Sequence, residues 1–74
     1  MSTNMFVKTS KELGSIVKKV RVSQRLTQAR LAAVSDTGIR FIVDLEQGKP
    51  TCALDKALHV ATMLGIKLSA EIPE

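Results

Sequence analysis

Cations carry most of the chemistry this chain can offer. Between Lys8 and Arg30 stand seven positive residues (Lys8, Lys11, Lys18, Lys19, Arg21, Arg25 and Arg30) against one acid, Glu12, a balance of +6. From Leu31 onward four positive residues face six negative ones, a balance of −2, and the whole chain carries +4. A basic first half is the footprint of a polyanion partner, or else a solvated helix face. A second group is more pointed. The guanidinium of Arg40 can bind both acceptors on the major-groove edge of guanine. Asp44, four residues on, can accept from cytosine N4 or orient Arg40 along a shared helix face. Lys49 is placed for a phosphate or for solvent.

Little else suggests chemistry. There is no nucleophile–base pair, carboxylate dyad or phosphate-cradling loop, so no enzymatic activity is expected. One cysteine, Cys52, excludes an internal disulfide. With one histidine, His59, there is no Cys/His cluster at metal-ligand spacing, and neither metal nor cofactor is expected. Cys52 falls in the first turn of a helix expected to start at Thr51, where a thiolate is favoured. Redox sensing and a plain structural thiol are both open to it, the second being the simpler. His59 lies off the apolar stripe and reads as a surface or interface side chain.

The elements that must position these residues follow from hydrophobic period. Thr9 and Glu12 have capping-box spacing, and Leu13, Ile16, Val17 and Val20 then recur on one helical face, with an end expected at Val22 to Gln24. Thr27 is an N-cap for a short second helix built on Leu31. Ser35, Asp36, Thr37 and Gly38 form a turn cluster. A third helix is expected from about Gly38 to Gln47, anchored by Ile42 and Leu45, with Phe41 at their edge and Gly48 and Pro50 as stops. Thr51 would cap a fourth, with Leu54, Ala57, Leu58, Ala61 and Leu64 inward and Gly65 at its end. Over about 66–72, Ile66, Leu68, Ala70 and Ile72 alternate with Lys67, Ser69 and Glu71, the period of a half-buried strand. A lone strand is an exposed edge. Apart from Met5 to Lys8, the available partner is the same strand of a second copy across a two-fold axis. A homodimer also suits a chain of 74 residues, whose single core is modest.

The organisation expected is thus one domain over 1–74, mainly α, with four helices and a C-terminal strand pairing across a dimer. No run approaches the roughly 20 apolar residues of a membrane span. Ser2, Thr3 and Asn4 give a polar N-terminus without signal-peptide character. The expectation is a cytoplasmic, nucleoid-associated protein in a reducing compartment. A membrane-surface role for the basic first helix is disfavoured, because its apolar stripe is needed for the core.

Two short helices joined by a tight turn, over about 27–47, match the helix-turn-helix pattern. The run Leu26-Thr27-Gln28-Ala29-Arg30-Leu31-Ala32, followed by Phe41-Ile42-Val43-Asp44-Leu45-Glu46-Gln47-Gly48-Lys49-Pro50, resembles the XRE-type family that includes phage repressors and Cro. The resemblance spans roughly Leu13 to Leu68 and implies a four-helix, lambda-repressor-like domain. Within that family Leu45-Glu46-Gln47-Gly48-Lys49-Pro50-Thr51 and Leu64-Gly65-Ile66-Lys67-Leu68 are similar to HipB-type antitoxins. These bind operator DNA and a kinase-like toxin encoded beside them, and they pair a C-terminal strand in the dimer. Two departures stand out. Arg25 replaces the family's usual Gly before Leu-Thr-Gln, and Ser35-Asp36-Thr37-Gly38 replaces Ala-Gly-Val-Ser. Asp tolerates a left-handed backbone, so Asp36 can stand for the turn glycine. Gly38 takes the place of a serine N-cap, a task Thr37 can assume.

The third helix is then expected in the major groove with its N-terminal end nearest the bases. Gly38, Ile39, Arg40, Val43 and Asp44 are the base-reading candidates, Ile39 and Val43 through thymine methyl groups. Thr27, Gln28, Lys49 and Arg25 are the phosphate candidates, with Thr27 the better cap and Gln28 combining a helix-N-terminal amide with a side-chain donor. The resemblance implies that Gln28 also buttresses the reading helix, and that Arg21 and Glu46 form a structural salt bridge. Lys18, Lys19 and Arg30 are further, individually weak, phosphate candidates. The implied function is a dimeric repressor on a palindromic operator, with an antitoxin role beside it. Asp55, Glu71 and Glu74 in the acidic half would be the protein-binding surface. A stand-alone phage-type repressor and a mainly protein-binding neutraliser remain as alternatives.

Overall fold

Thr9 opens the first helix as its side chain dictates. In a computed structural model, which describes residues 4–74, its Oγ1 accepts from the Glu12 amide at 3.0 Å. The Glu12 carboxylate accepts from the amide of Lys8 at 2.7 Å, one residue earlier than a reciprocal capping box would have it. The helices are α1 (Ser10–Ser23), α2 (Gln28–Val34), α3 (Ile39–Glu46) and α4 (Leu54–Met63). Ser2 and Thr3 of the polar N-terminus lie outside the described residues.

All four helices end in one way. The residue after the C-cap is left-handed, and two backbone bonds close back over the last turn. They run from Arg25 and Leu26 to Val22 and Arg21, from Asp36 and Thr37 to Ala33 and Ala32, from Gly48 and Lys49 to Leu45 and Asp44, and from Gly65 and Ile66 to Thr62 and Ala61. This double closure satisfies carbonyls that a helix end leaves open. The left-handed residues are Arg25 (φ 60°), Asp36 (φ 54°), Gly48 (φ 78°) and Gly65 (φ 82°). Asp36 thus adopts the conformation expected of it. Arg25 does so without a short polar side chain to ease it.

The core gathers Val17 from α1, Leu31 and Ala32 from α2, Ile42 and Leu45 from α3, and Ala57, Val60 and Leu64 from α4 and its cap. Leu13, Val20, Leu26, Phe41, Cys52 and Ile66 pack around it. α3 is the central element, packed on both α1 and α2. Gln24 at the end of α1 donates from Nε2 to the Leu64 carbonyl at 2.7 Å, tying it to the end of α4.

Several expectations are corrected. Thr51 does not cap α4. The Cys52 amide turns back to the Lys49 carbonyl at 3.4 Å, and the helix starts only after Ala53. The buried stripe of α4 is Ala57, Val60, Ala61 and Leu64; Leu54 and Leu58 lie about 60–100° round the helix from Ala57 and are exposed. Thr37 does not cap α3, whose N-cap is Gly38 with no side-chain bond. Instead the Thr37 hydroxyl lies 3.1 Å from that of buried Ser35. No strand forms among the described residues, at 66–72 or at Met5 to Lys8. Amides of an extended segment need a neighbouring strand. Only Ile66 of the alternating set packs on the core, and Leu68, Ala70 and Ile72 are exposed.

Candidate nucleic-acid interface

The turn joining α2 to α3 is held from inside. Ser35 is buried and its hydroxyl donates to the Leu31 carbonyl at 2.6 Å, giving a polar group in the core a partner. α3 is preceded by its N-cap Gly38, where nothing lies within 4 Å of the place a Cβ would take, so the backbone there is open. Ile42 and Leu45 face inward. Ile39 is 51% exposed and the Arg40 side chain 82%, while Val43 and Asp44 are half-buried.

Behind α3, Glu46 joins three helices. Its carboxylate accepts from Arg21 Nε at 2.5 Å and Nη2 at 3.0 Å, and from Gln28 Nε2 at 3.1 Å. Arg21 Nη1 also donates to the Leu26 carbonyl at 2.7 Å. The Glu46 side chain is only 3% exposed and that of Arg21 11%. Breaking a buried pair of this kind costs about 3–5 kcal/mol, because the remaining charge is left without a partner. Gln28 therefore commits one of its two side-chain donors to Glu46, which leaves the second and its first-turn backbone amide to offer an anion. Thr27 caps α2, its Oγ1 accepting from the Arg30 amide at 3.0 Å.

On the outer side, Asp44 joins two cations. Arg40 Nε is 3.4 Å from Asp44 Oδ1, and Lys49 Nζ is 3.6 Å from Asp44 Oδ2. Of the residues named from sequence, the fold thus brings Arg40, Asp44 and Lys49 together, and Arg21, Gln28 and Glu46 together. Arg25 stands apart in the left-handed link before α2. The Lys49–Asp44 contact had no sequence signal, because it spans the turn at Gly48.

Gly14 was also missed. It is buried, and a Cβ on it would fall 2.1 Å from the Leu45 carbonyl oxygen, so α1 crosses the end of α3 at backbone contact. A glycine inside an amphipathic stripe is the signal that marks such a crossing. Cys52 lies before α4, not in its first turn, so no helix terminus supports a thiolate. Burial, and then the charge of Asp44, push its pKa up against a smaller opposing effect of Lys49. Among the described residues no group of three or more His, Cys, Asp or Glu is placed to hold a metal, and no helix is long and apolar enough to cross a membrane.

Comparison with known proteins places this geometry. No family model matches the chain. An uncharacterized HTH-type transcriptional regulator, y4mF, of Sinorhizobium fredii is 45% identical over 67 residues, covering 90% of this chain and 88% of that protein. Among solved structures, a HipB variant in complex with an O2 20mer aligns with a TM-score of 0.85 at 18% identity, over 97% of this chain and all of that one. A HipA–HipB–O2–O3 complex aligns with a TM-score of 0.84 at 17% identity, over 96% of this chain and all of the matched one. At those identities the likeness establishes the fold, a four-helix domain of the HipB kind.

Proposed function

This chain belongs to the HTH-type transcriptional regulators, and we propose that it is a sequence-specific repressor that binds a palindromic operator as a homodimer and also serves as the antitoxin of a HipBA-like pair. One observation carries the DNA-reading part. The N-terminal half of α3 presents Gly38, Ile39 and Arg40 outward on a helix braced from behind by the Glu46 hub. A reading helix must be exposed in front and immobile behind, since positional error is paid for in discrimination.

In this reading Arg40 reads a guanine and Ile39 and Val43 touch thymine methyl groups. Lys49, Arg25, Thr27 and the first-turn amide of Gln28 hold phosphates. The segment 66–72 completes a strand by pairing with its copy in the dimer. Two reading helices about 34 Å apart then enter successive major grooves. Repression is by occlusion, and phosphate contacts make it salt-sensitive. The fold shared with HipB, which is found in one solved complex together with HipA, supports a protein partner, and the resemblance to HipB-type antitoxins is what makes a kinase-like toxin the proposed one. Exposed Asp55, Glu71 and Glu74 are its proposed contacts, and the setting is the cytoplasm at the nucleoid.

Selection of bound sequences from a random DNA pool at physiological salt tests the reading, with Arg40→Ala and Lys49→Ala in parallel. A palindromic motif is expected. Arg40→Ala should relax one base pair per half-site at a cost of about 1–3 kcal/mol, and Lys49→Ala should weaken all sequences alike and lower the salt slope by about 1. Equal losses on motif and random DNA for Arg40→Ala would refute base reading by Arg40. Co-purification with the product of a neighbouring gene tests the antitoxin role.

A further inference from the structure

The outer face of α3 holds an acid where a polyanion must dock. Asp44 is 16% exposed in its side chain, and each of its carboxylate oxygens holds one cation, Arg40 on Oδ1 and Lys49 on Oδ2. Both are cations to which, beside Arg25, DNA contacts are assigned above. Phosphates and bases must therefore compete with Asp44 for them.

The outcome of that competition depends on sequence. When Lys49 turns to a phosphate and Arg40 to a base, the carboxylate loses its partners at the floor of the groove. Most groups there are acceptors: guanine O6 and N7, adenine N7, thymine O4. Facing them unpaired, a desolvated carboxylate is repelled. Two groups relieve it, the exocyclic amines of cytosine N4 and adenine N6. Sites that present such an amine beside Arg40 release both cations without orphaning Asp44. Other sites do not.

We infer that Asp44 is a specificity-determining residue that acts mainly against wrong sequences: it restrains Arg40 and Lys49 on generic DNA and frees them where a base pair offers an amino donor in the major groove. This rests on the DNA-reading proposal above. It predicts that the acid lowers affinity for generic DNA and thereby raises discrimination.

The test compares wild type, Asp44→Asn and Asp44→Ala on two 20-base-pair duplexes, the motif selected by wild type and a scrambled version of it, across a salt series. Both variants should bind the scrambled duplex about tenfold more tightly, and the ratio of motif to scrambled affinity should fall by about tenfold or more. Their salt slope should steepen by up to about 0.9, as one more cation reaches a phosphate. Repeating the selection with Asp44→Ala should erase the preference for an amino-bearing base at one position of each half-site. An unchanged ratio, or equal weakening on both duplexes, overturns the inference while leaving DNA reading intact. A gain shown by Asp44→Asn alone also overturns it, since the new amide would then be making its own bonds. If wild type selects no motif, the DNA-reading proposal itself falls and takes this one with it.

Discussion

Arg25 is the residue at which local physics and observed conformation disagree most. It ends α1 at φ 60°, where an L side chain crowds its own carbonyl. Gly48 and Gly65 take the same role at no such cost, and Asp36 takes it with a short polar side chain. Strain that persists at an exposed position invites a functional reason. The phosphate contact proposed above for Arg25, two residues before the N-cap of α2, would supply one. Arg25→Gly should therefore raise stability by about 1 kcal/mol, or roughly 4–8 °C in a chain of this size. It should also weaken binding to all DNA sequences alike. A thermal melt and a binding titration read both effects. A variant no more stable than wild type would show the backbone to be unstrained. Cys52 illustrates the opposite relation, in which the setting disfavours the ionised form of a side chain. Its raised pKa keeps the thiol protonated, so it has less thiolate to offer than the expected helix-terminal position would have given it.

At the scale of elements, α3 is where stability meets the reading proposed for this chain. Its inner side is clamped by Ile42 and Leu45 in the core and by Glu46 against Arg21 and Gln28. Its outer side is left to Ile39, Arg40 and Asp44. The clamp depends on how closely α1 approaches, and Gly14 permits that approach. A methyl group there would meet the Leu45 carbonyl oxygen at 2.1 Å, backbone that cannot swing aside. Gly14→Ala should cost about 3 kcal/mol by forcing the helices apart, although alanine is the better helix former in isolation. Chemical denaturation measures this directly, and a neutral or stabilising result would mean that the crossing can relax. Gly48 makes a second close approach: a Cβ added there would fall 2.6 Å from Lys11 Cα. The N-terminal turn of α1 thus rests on the turn that delivers Lys49.

For the whole molecule, the last third of the chain leaves apolar surface unused. Leu54, Leu58, Met63, Leu68 and Ile72 are all exposed, Ile72 at 83%. A domain this small gains much from burying such surface in a second copy. Strand pairing beyond Ile66 would give the amides of 67–72 backbone partners that they lack among the described residues. Leu68→Asp with Ile72→Asp should shift the proposed homodimer to monomer in sedimentation equilibrium. It should abolish tight binding to a full palindrome while sparing weak half-site binding. An unchanged mass in solution would place the dimer interface elsewhere.

Some of this organisation is written in local patterns. Thr9, Thr27, the stripe through Leu13, Val17 and Val20, and the pair Ile42 and Leu45 identify α1, α2 and α3, because caps and helical period depend on neighbours within a turn or two. Asp36 is legible for the same reason, since left-handed tolerance is a property of the residue. The Arg21–Glu46 pair was carried by resemblance alone, as nothing local links residues 25 apart. The start of α4 was misjudged because the turn through Lys49 and Cys52 outweighs the capping preference of Thr51. The alternation of the tail has the period of a strand, but a strand is an agreement between two segments, and one chain supplies only half of it. The contacts of Asp44 with Lys49 across Gly48, and of Gly14 with Leu45, exist only when helices cross at particular distances. Tertiary structure alone decides them, because they depend on the space between elements.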